Sequence, residues 1–169
     1  LTRLRILDAV EPWTPGNNHM KTMSQVPKHH LADPALAARL VGLEKGALLD
    51  GAGPSSTPSA DPFLGQLFES LVALSLRVFV GTSGATVQHL RTHRGTHEID
   101  YIVKRGDGKV VAIEVKLSPN VDDKSVRHLT WLRDEIGASL LDAAVITTGA
   151  HAYRRTDGIA VIPLGLLGP

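Results

Sequence analysis

Asp100, Glu114 and Lys116 are the residues whose types and spacing could do chemistry. They lie in two alternating segments, Glu98-Ile99-Asp100-Tyr101-Ile102-Val103 and Val111-Ala112-Ile113-Glu114-Val115-Lys116. Between the segments stands Gly106-Asp107-Gly108, which reads as a type I turn with Gly108 in the left-handed region. With that three-residue loop, Asp100 falls opposite Glu114, and Glu98 opposite Lys116. Side chains alternate along a strand, so the acids and the lysine share one face. Ile99, Tyr101, Val103, Val111, Ile113, Val115 and Leu117 share the other. A two-residue loop would set Glu114 opposite Tyr101 and mix the faces, so the pattern selects the longer loop. Carboxylates gathered beside an ammonium suggest a cation site with a polarising group next to it.

The rival explanation is a solvated sheet face. A cross-strand Glu98–Lys116 pair there would contribute only about 0.2–1 kcal/mol and need mean nothing more. Glu69 tips the balance. It sits inside an apolar helical pattern of Leu64, Leu67, Phe68, Leu71, Val72, Leu74, Val78 and Phe79. A buried carboxylate without a partner is unfavourable, so Glu69 needs Lys116 or a metal ion.

The elements that must position these residues are legible in outline. Residues 1–13 suggest a strand or a partly paired arm, and Val26–Leu31 a short strand. Asp33-Pro34 and Asp61-Pro62 start helices, an N-cap followed by proline at the first turn. The first runs to about Leu43 and the second to about Val80, the latter with the wide apolar surface of a buried helix. Gly51–Ala60 has linker composition. Thr86–His93 reads as a strand, Lys124–Ile136 as a helix capped by Asp122 or Asp123, and Leu141–Thr147 and Ile159–Pro163 as buried strands. The expected fold is α/β, a mixed sheet flanked by helices. Its organisation is an arm with a small helical segment over 1–50, a linker over 51–61 and the main domain over 62–169.

Composition limits the function. A formal net charge of +1 gives no global basic field, so any nucleic-acid surface is local. The absence of cysteine excludes disulfides, thiolate zinc sites and thiol catalysis, and fits a cytoplasmic protein. There is no GxxxxGK(S/T) phosphate loop. No membrane-spanning run is expected, and no membrane partner. The start at Leu1-Thr2-Arg3, without methionine or signal pattern, suggests a piece of a longer protein. The adjacent His29 and His30 point oppositely on a strand and cannot chelate one ion together. Ser118, Thr147 and Thr148 lack a base at legible spacing. Arg91, Arg94, Lys124 and Arg127 are the candidates for phosphate contact.

The order of helix, Asp100, Glu114-Val115-Lys116, helix and strand resembles the PD-(D/E)XK nuclease superfamily, with its restriction-endonuclease-like fold. Residues 26–33, Gly65-Gln66-Leu67-Phe68-Glu69, Glu98–Tyr101, Ile113–Ser118, Leu129–Leu132 and Pro163-Leu164 look like a narrower family. It is the domain of unknown function at the C-terminus of many bacterial and archaeal AAA-type ATPases. The resemblance implies that residues 1–13 are the tail of a winged-helix region and that an ATPase domain of the parent chain is a partner, through which the protein would form oligomers. It also implies catalytic roles for Glu69, Asp100, Glu114 and Lys116, with Mg²⁺ or Mn²⁺ on Asp100, Glu114 and the Val115 carbonyl. The implied activity is metal-dependent cleavage of DNA phosphodiesters. The alternative is a catalytically inactive nuclease-fold module that binds nucleic acid or protein and regulates the ATPase.

Overall fold

A computed structural model of the chain describes residues 6–16, 26–50, 60–92 and 95–168. Strand β1 spans Leu7–Pro12 and β2 Lys28–Leu31. Helices α1 (Pro34–Leu40), α2 (Lys45–Asp50) and α3 (Ala60–Val80) follow. Then come β3 (Thr86–Arg91), β4 (Glu98–Lys104), β5 (Val110–Val115), α4 (Asp123–Ile136), β6 (Leu140–Thr147), β7 (Tyr153–Arg154) and β8 (Ala160–Pro163). The strands form one sheet in the order β2-β1-β3-β4-β5-β6-β8-β7. It is mixed: β1 runs parallel to β3, β6 parallel to β5 and β8, and the other pairs are antiparallel.

The local signals act as expected at several ends. Asp33 caps α1, accepting from Ala35 N–H at 2.8 Å, with Pro34 in the first turn. Asp122 caps α4, accepting from Ser125 N–H at 2.8 Å. The first helix stops at Leu40, short of the expected Leu43, because Gly42 turns the chain at φ +72° and a second short helix, α2, begins. The linker composition of 51–59 lies outside the described residues, and α3 begins already at Ala60. The N-terminal arm contributes β1 and β2 to the same sheet as the rest of the chain.

The hairpin keeps the expected register. Tyr101 pairs with Ile113, Val103 with Val111 and Lys104 with Val110. Arg105 N–H donates to Lys109 O at 2.9 Å, closing the loop, and Gly108 sits at φ +85°. The faces, however, differ from the expected split into one apolar and one polar side. Both are apolar. Tyr101, Val103, Val111, Ile113 and Val115 pack with Val72, Ala73 and Leu76 of α3. Ile99, Ile102, Val110 and Ala112 pack with Val126, Leu129 and Leu132 of α4. Ile99 therefore joins the face opposite Tyr101. The reason is a register shift: Gln88 pairs with Ile102 but Leu90 with Ile99, leaving one extra β4 residue between them. That bulge lies at Asp100 and Tyr101.

Helix α3 is only half buried, not surrounded as its sequence suggests. Leu71, Leu74 and Val78 are 40%, 38% and 65% exposed on its outer side. By length and composition Pro62–Val80 could also cross a membrane, which revises the expectation that no such run exists. In the structure its Val72, Ala73 and Leu76 are buried against the sheet.

Since only glycine adopts the Gly108 conformation without strain, Gly108→Ala is expected to lower stability by about 1–2 kcal/mol. Urea unfolding measures it; an unchanged midpoint and slope would mean the loop relaxes freely.

Candidate active site

The acids gather where the bulge of β4 meets the end of β5 and the first half of α3. Asp100 Oδ2 accepts from Val115 N–H at 2.9 Å, so a side chain takes over at the point where the β4–β5 ladder ends. Glu114 is 4% exposed, and its Oε2 lies 3.4 Å from Lys116 Nζ. Its Oε1 is buried with no hydrogen-bond partner. Burial, reinforced by the Asp100 charge, pushes the Glu114 carboxyl up to about 8, against the pull of Lys116. Asp100 and Glu114 are thus brought together. Lys116 stands at the rim, its side chain 39% exposed.

Glu69 is brought in by α3, but not to the partner expected. Its cation is Lys28, on β2, rather than Lys116: Lys28 Nζ lies 3.2 Å from Glu69 Oε1. The same ammonium is 3.1 Å from Glu98 and 3.4 Å from Asp100. Burial works against the Lys28 charge, yet Asp100, Glu69 and Glu98 together outweigh it and raise its pKa above the ordinary lysine range. Glu69 is itself raised, first by burial and then by Asp100, with Lys28 opposing. The expected Glu98–Lys116 pair gives way to Glu98 contacts with Lys28 and, at 3.9 Å, Arg91. The cause is again the bulge: Glu98 and Asp100 stay on one side of β4, facing Lys28, while Ile102 beyond it turns towards α4.

Two further contacts hold the helix in place. Tyr101 Oη donates to the Glu69 carbonyl at 2.8 Å. Ser70 Oγ donates to Gln66 O, which leaves it to accept from His30 Nδ1 at 3.0 Å. His30 is kept neutral, its pKa pushed down to about 4 by burial and then by the Lys28 charge.

Arg94 lies outside the described residues. Arg91 and Lys124 are exposed. Arg127 Nε donates to His128 Nε2 at 2.9 Å. A guanidinium only donates, so the His128 proton sits on Nδ1, which faces His97 Nδ1 at 3.3 Å. His97 in turn stacks on Trp131 at 4.0 Å. Burial, then the Arg127 charge, lowers the His128 pKa. This imidazole–indole ledge on α4 was not visible in the sequence beyond His97 itself, although His128 and Trp131 stand three apart on a helix and so share a side. Lys28 was missed too; the signal available was that Lys28 and His30 alternate onto one face of a short strand.

Among the described residues, no three His, Asp or Glu side chains are grouped as a ready metal cluster. A cation here would therefore fall to Asp100 and Glu114 themselves. Both offer hard carboxylate oxygens, and the orphaned Glu114 Oε1 has an unmet need for a cation or a proton, so the pair fits Mg²⁺ or Mn²⁺.

A helix-flanked mixed sheet carrying such a cluster defines an α/β domain with an acid–lysine site. The chain belongs to the family described as "Domain of unknown function (DUF4143)", whose model matches residues 64–167. No curated protein matches the chain. Among solved structures it is similar to a chain of the refined half-complex from the tetradecameric assembly of Thermococcus gammatolerans McrB AAA+ hexamers with bound McrC. That likeness has 12% identity and a TM-score of 0.44, too low to carry an argument about fold or function. It covers 59% of this chain and spans only 27% of the other.

The raised Glu114 carboxyl makes a pH prediction. Between the ordinary value of 4.5 and about 8 the folded protein holds a proton that the unfolded chain has released, so stability falls as pH rises through that window. Glu114→Gln should flatten this slope. Urea midpoints of both proteins from pH 5 to 8 test it; parallel curves would show that Glu114 titrates normally.

Proposed function

We propose that this domain is a restriction-endonuclease-like phosphodiesterase module of the PD-(D/E)XK kind, acting on DNA as part of a larger cytoplasmic AAA-type ATPase. One observation carries the reading: the buried, unpartnered Glu114 oxygen beside Asp100, with the Lys116 ammonium 3.4 Å from the same carboxylate. Asp100, Glu114 and the Val115 carbonyl would hold Mg²⁺ or Mn²⁺, which when bound supplies Lewis-acid activation and charge neutralisation. Lys116, at the exposed rim, orients the attacking water or stabilises charge developing on the phosphate. Asp100 is fixed for its task by the Val115 N–H bond. Glu69 is held next to the cluster by Tyr101. Arg91, Lys124 and Arg127 give exposed positive charge for the nucleic-acid backbone. The parent ATPase and its oligomeric ring are proposed on the residues that resemble that family.

A second reading is favoured by a specific contact. Lys28 already neutralises Glu69, Glu98 and Asp100, as it would in a catalytically inactive nuclease-fold module that binds nucleic acid or protein and regulates the ATPase.

Mn²⁺ titration separates the two. In the catalytic reading, Asp100→Ala and Glu114→Ala each abolish Mn²⁺ binding, and Lys116→Ala abolishes cleavage of DNA while melting as the parent does. A parent protein that binds no Mn²⁺, or a Lys116→Ala variant that cuts as fast as the parent, would rule out the catalytic reading.

A further inference from the structure

Lys28 reaches the acids from an unusual direction. Strand β2 lies at the outer end of the sheet and pairs there with β1. Its two inward side chains fasten it to the site: His30 to Ser70 of α3, and Lys28 to Glu69, Glu98 and Asp100. The strand is therefore a short strap laid across the acids, with an ammonium at the place where those oxygens converge.

That ammonium does not complete the site. Glu114 Oε1, at a residue only 4% exposed and beside the Asp100 charge, receives no hydrogen bond when the carboxylates are ionised. Charge points the same way. When ionised, the four carboxylates Glu69, Glu98, Asp100 and Glu114 face three cations, Lys28, Lys116 and Arg91. The remainder is one negative charge, too little for a divalent ion. Without Lys28 the remainder is two, which one divalent ion neutralises.

We propose that β2 is an autoinhibitory strap, in which the Lys28 ammonium and a divalent cation compete for Asp100. The inference rests on the reading of Asp100 and Glu114 as a cation site and adds its regulation. The metal is admitted when Lys28 is withdrawn. A partner that draws β2 off the sheet edge would activate the site, and one that clamps it would silence it. Retention of the lysine stem matters to the test, because the Lys28 side chain is only 21% exposed.

The experiment is calorimetric titration of Mn²⁺ into the whole chain as parent, Lys28→Met and Lys28→Arg. Lys28→Met keeps much of the stem and removes the charge; it should bind Mn²⁺ on the order of tenfold more tightly than the parent. Lys28→Arg keeps the charge and should bind no more tightly than the parent, which holds the test open if Lys28→Met does not fold. Asp100→Ala in the Lys28→Met background should remove the gain. Mn²⁺ binding of equal strength in parent and Lys28→Met overturns the strap while leaving the cation site intact. So does a Lys28→Arg protein that binds more tightly than the parent. No Mn²⁺ binding by any of the three overturns the strap together with the site.

Discussion

The ammonium of Lys28 is the contact on which the arrangement of the site depends. It lies within 3.4 Å of three carboxylates that come from α3 and β4, and those carboxylates would otherwise repel one another across a partly dry space. Removing one member of such a group leaves the others uncompensated, which is far less favourable than never having assembled them. Lys28 thereby ties the edge of the sheet, its centre and the covering helix into one unit. The raised ammonium and the raised Glu69 and Glu114 carboxyls record the same fact from opposite sides.

What lets the acids approach one another is the irregularity of β4. A strand with apolar packing on both faces has no room for a carboxylate in regular alternation. The extra residue between the Leu90 and Ile102 pairings releases Asp100 from the pleat. Its oxygen then takes the Val115 N–H. Glu114, one residue earlier on β5, is deeply buried, while Lys116 emerges at the rim. Glu114 and Lys116 are thus two residues apart with very different exposures, as the proposed cation-binding and substrate-facing roles require.

The hairpin was legible because its loop chemistry and its apolar alternation agree, and a register error would have turned every side chain over. The caps at Asp33 and Asp122 were legible because a short polar side chain next to a helix start has a local partner. The two-sided burial of β4 and β5 was harder to read. Simple alternation puts Glu98, Asp100, Glu114 and Lys116 on one side with Ile102, Val110 and Ala112, which pack under α4, and only the bulge parts Glu98 and Asp100 from them. Lys28 was beyond reach for a different reason. A lysine on a short edge strand looks like a solvated charge that keeps other strands off the sheet edge, and only tertiary structure shows that it points inward. Arg127 and His128 are adjacent in sequence, and their bond to each other also needed coordinates.

The place of β1 and β2 has a temporal meaning. Glu98, Asp100 and Glu114 lie on one hairpin, whereas Lys28 is 41 residues from Glu69 and 72 from Asp100. Closing so long a loop adds little to the thermodynamic penalty, which grows only with the logarithm of length, but it delays contact. During folding the hairpin acids are therefore expected to meet before Lys28 arrives. For that interval the hairpin would present its acids to whatever small cation the surrounding solution offers.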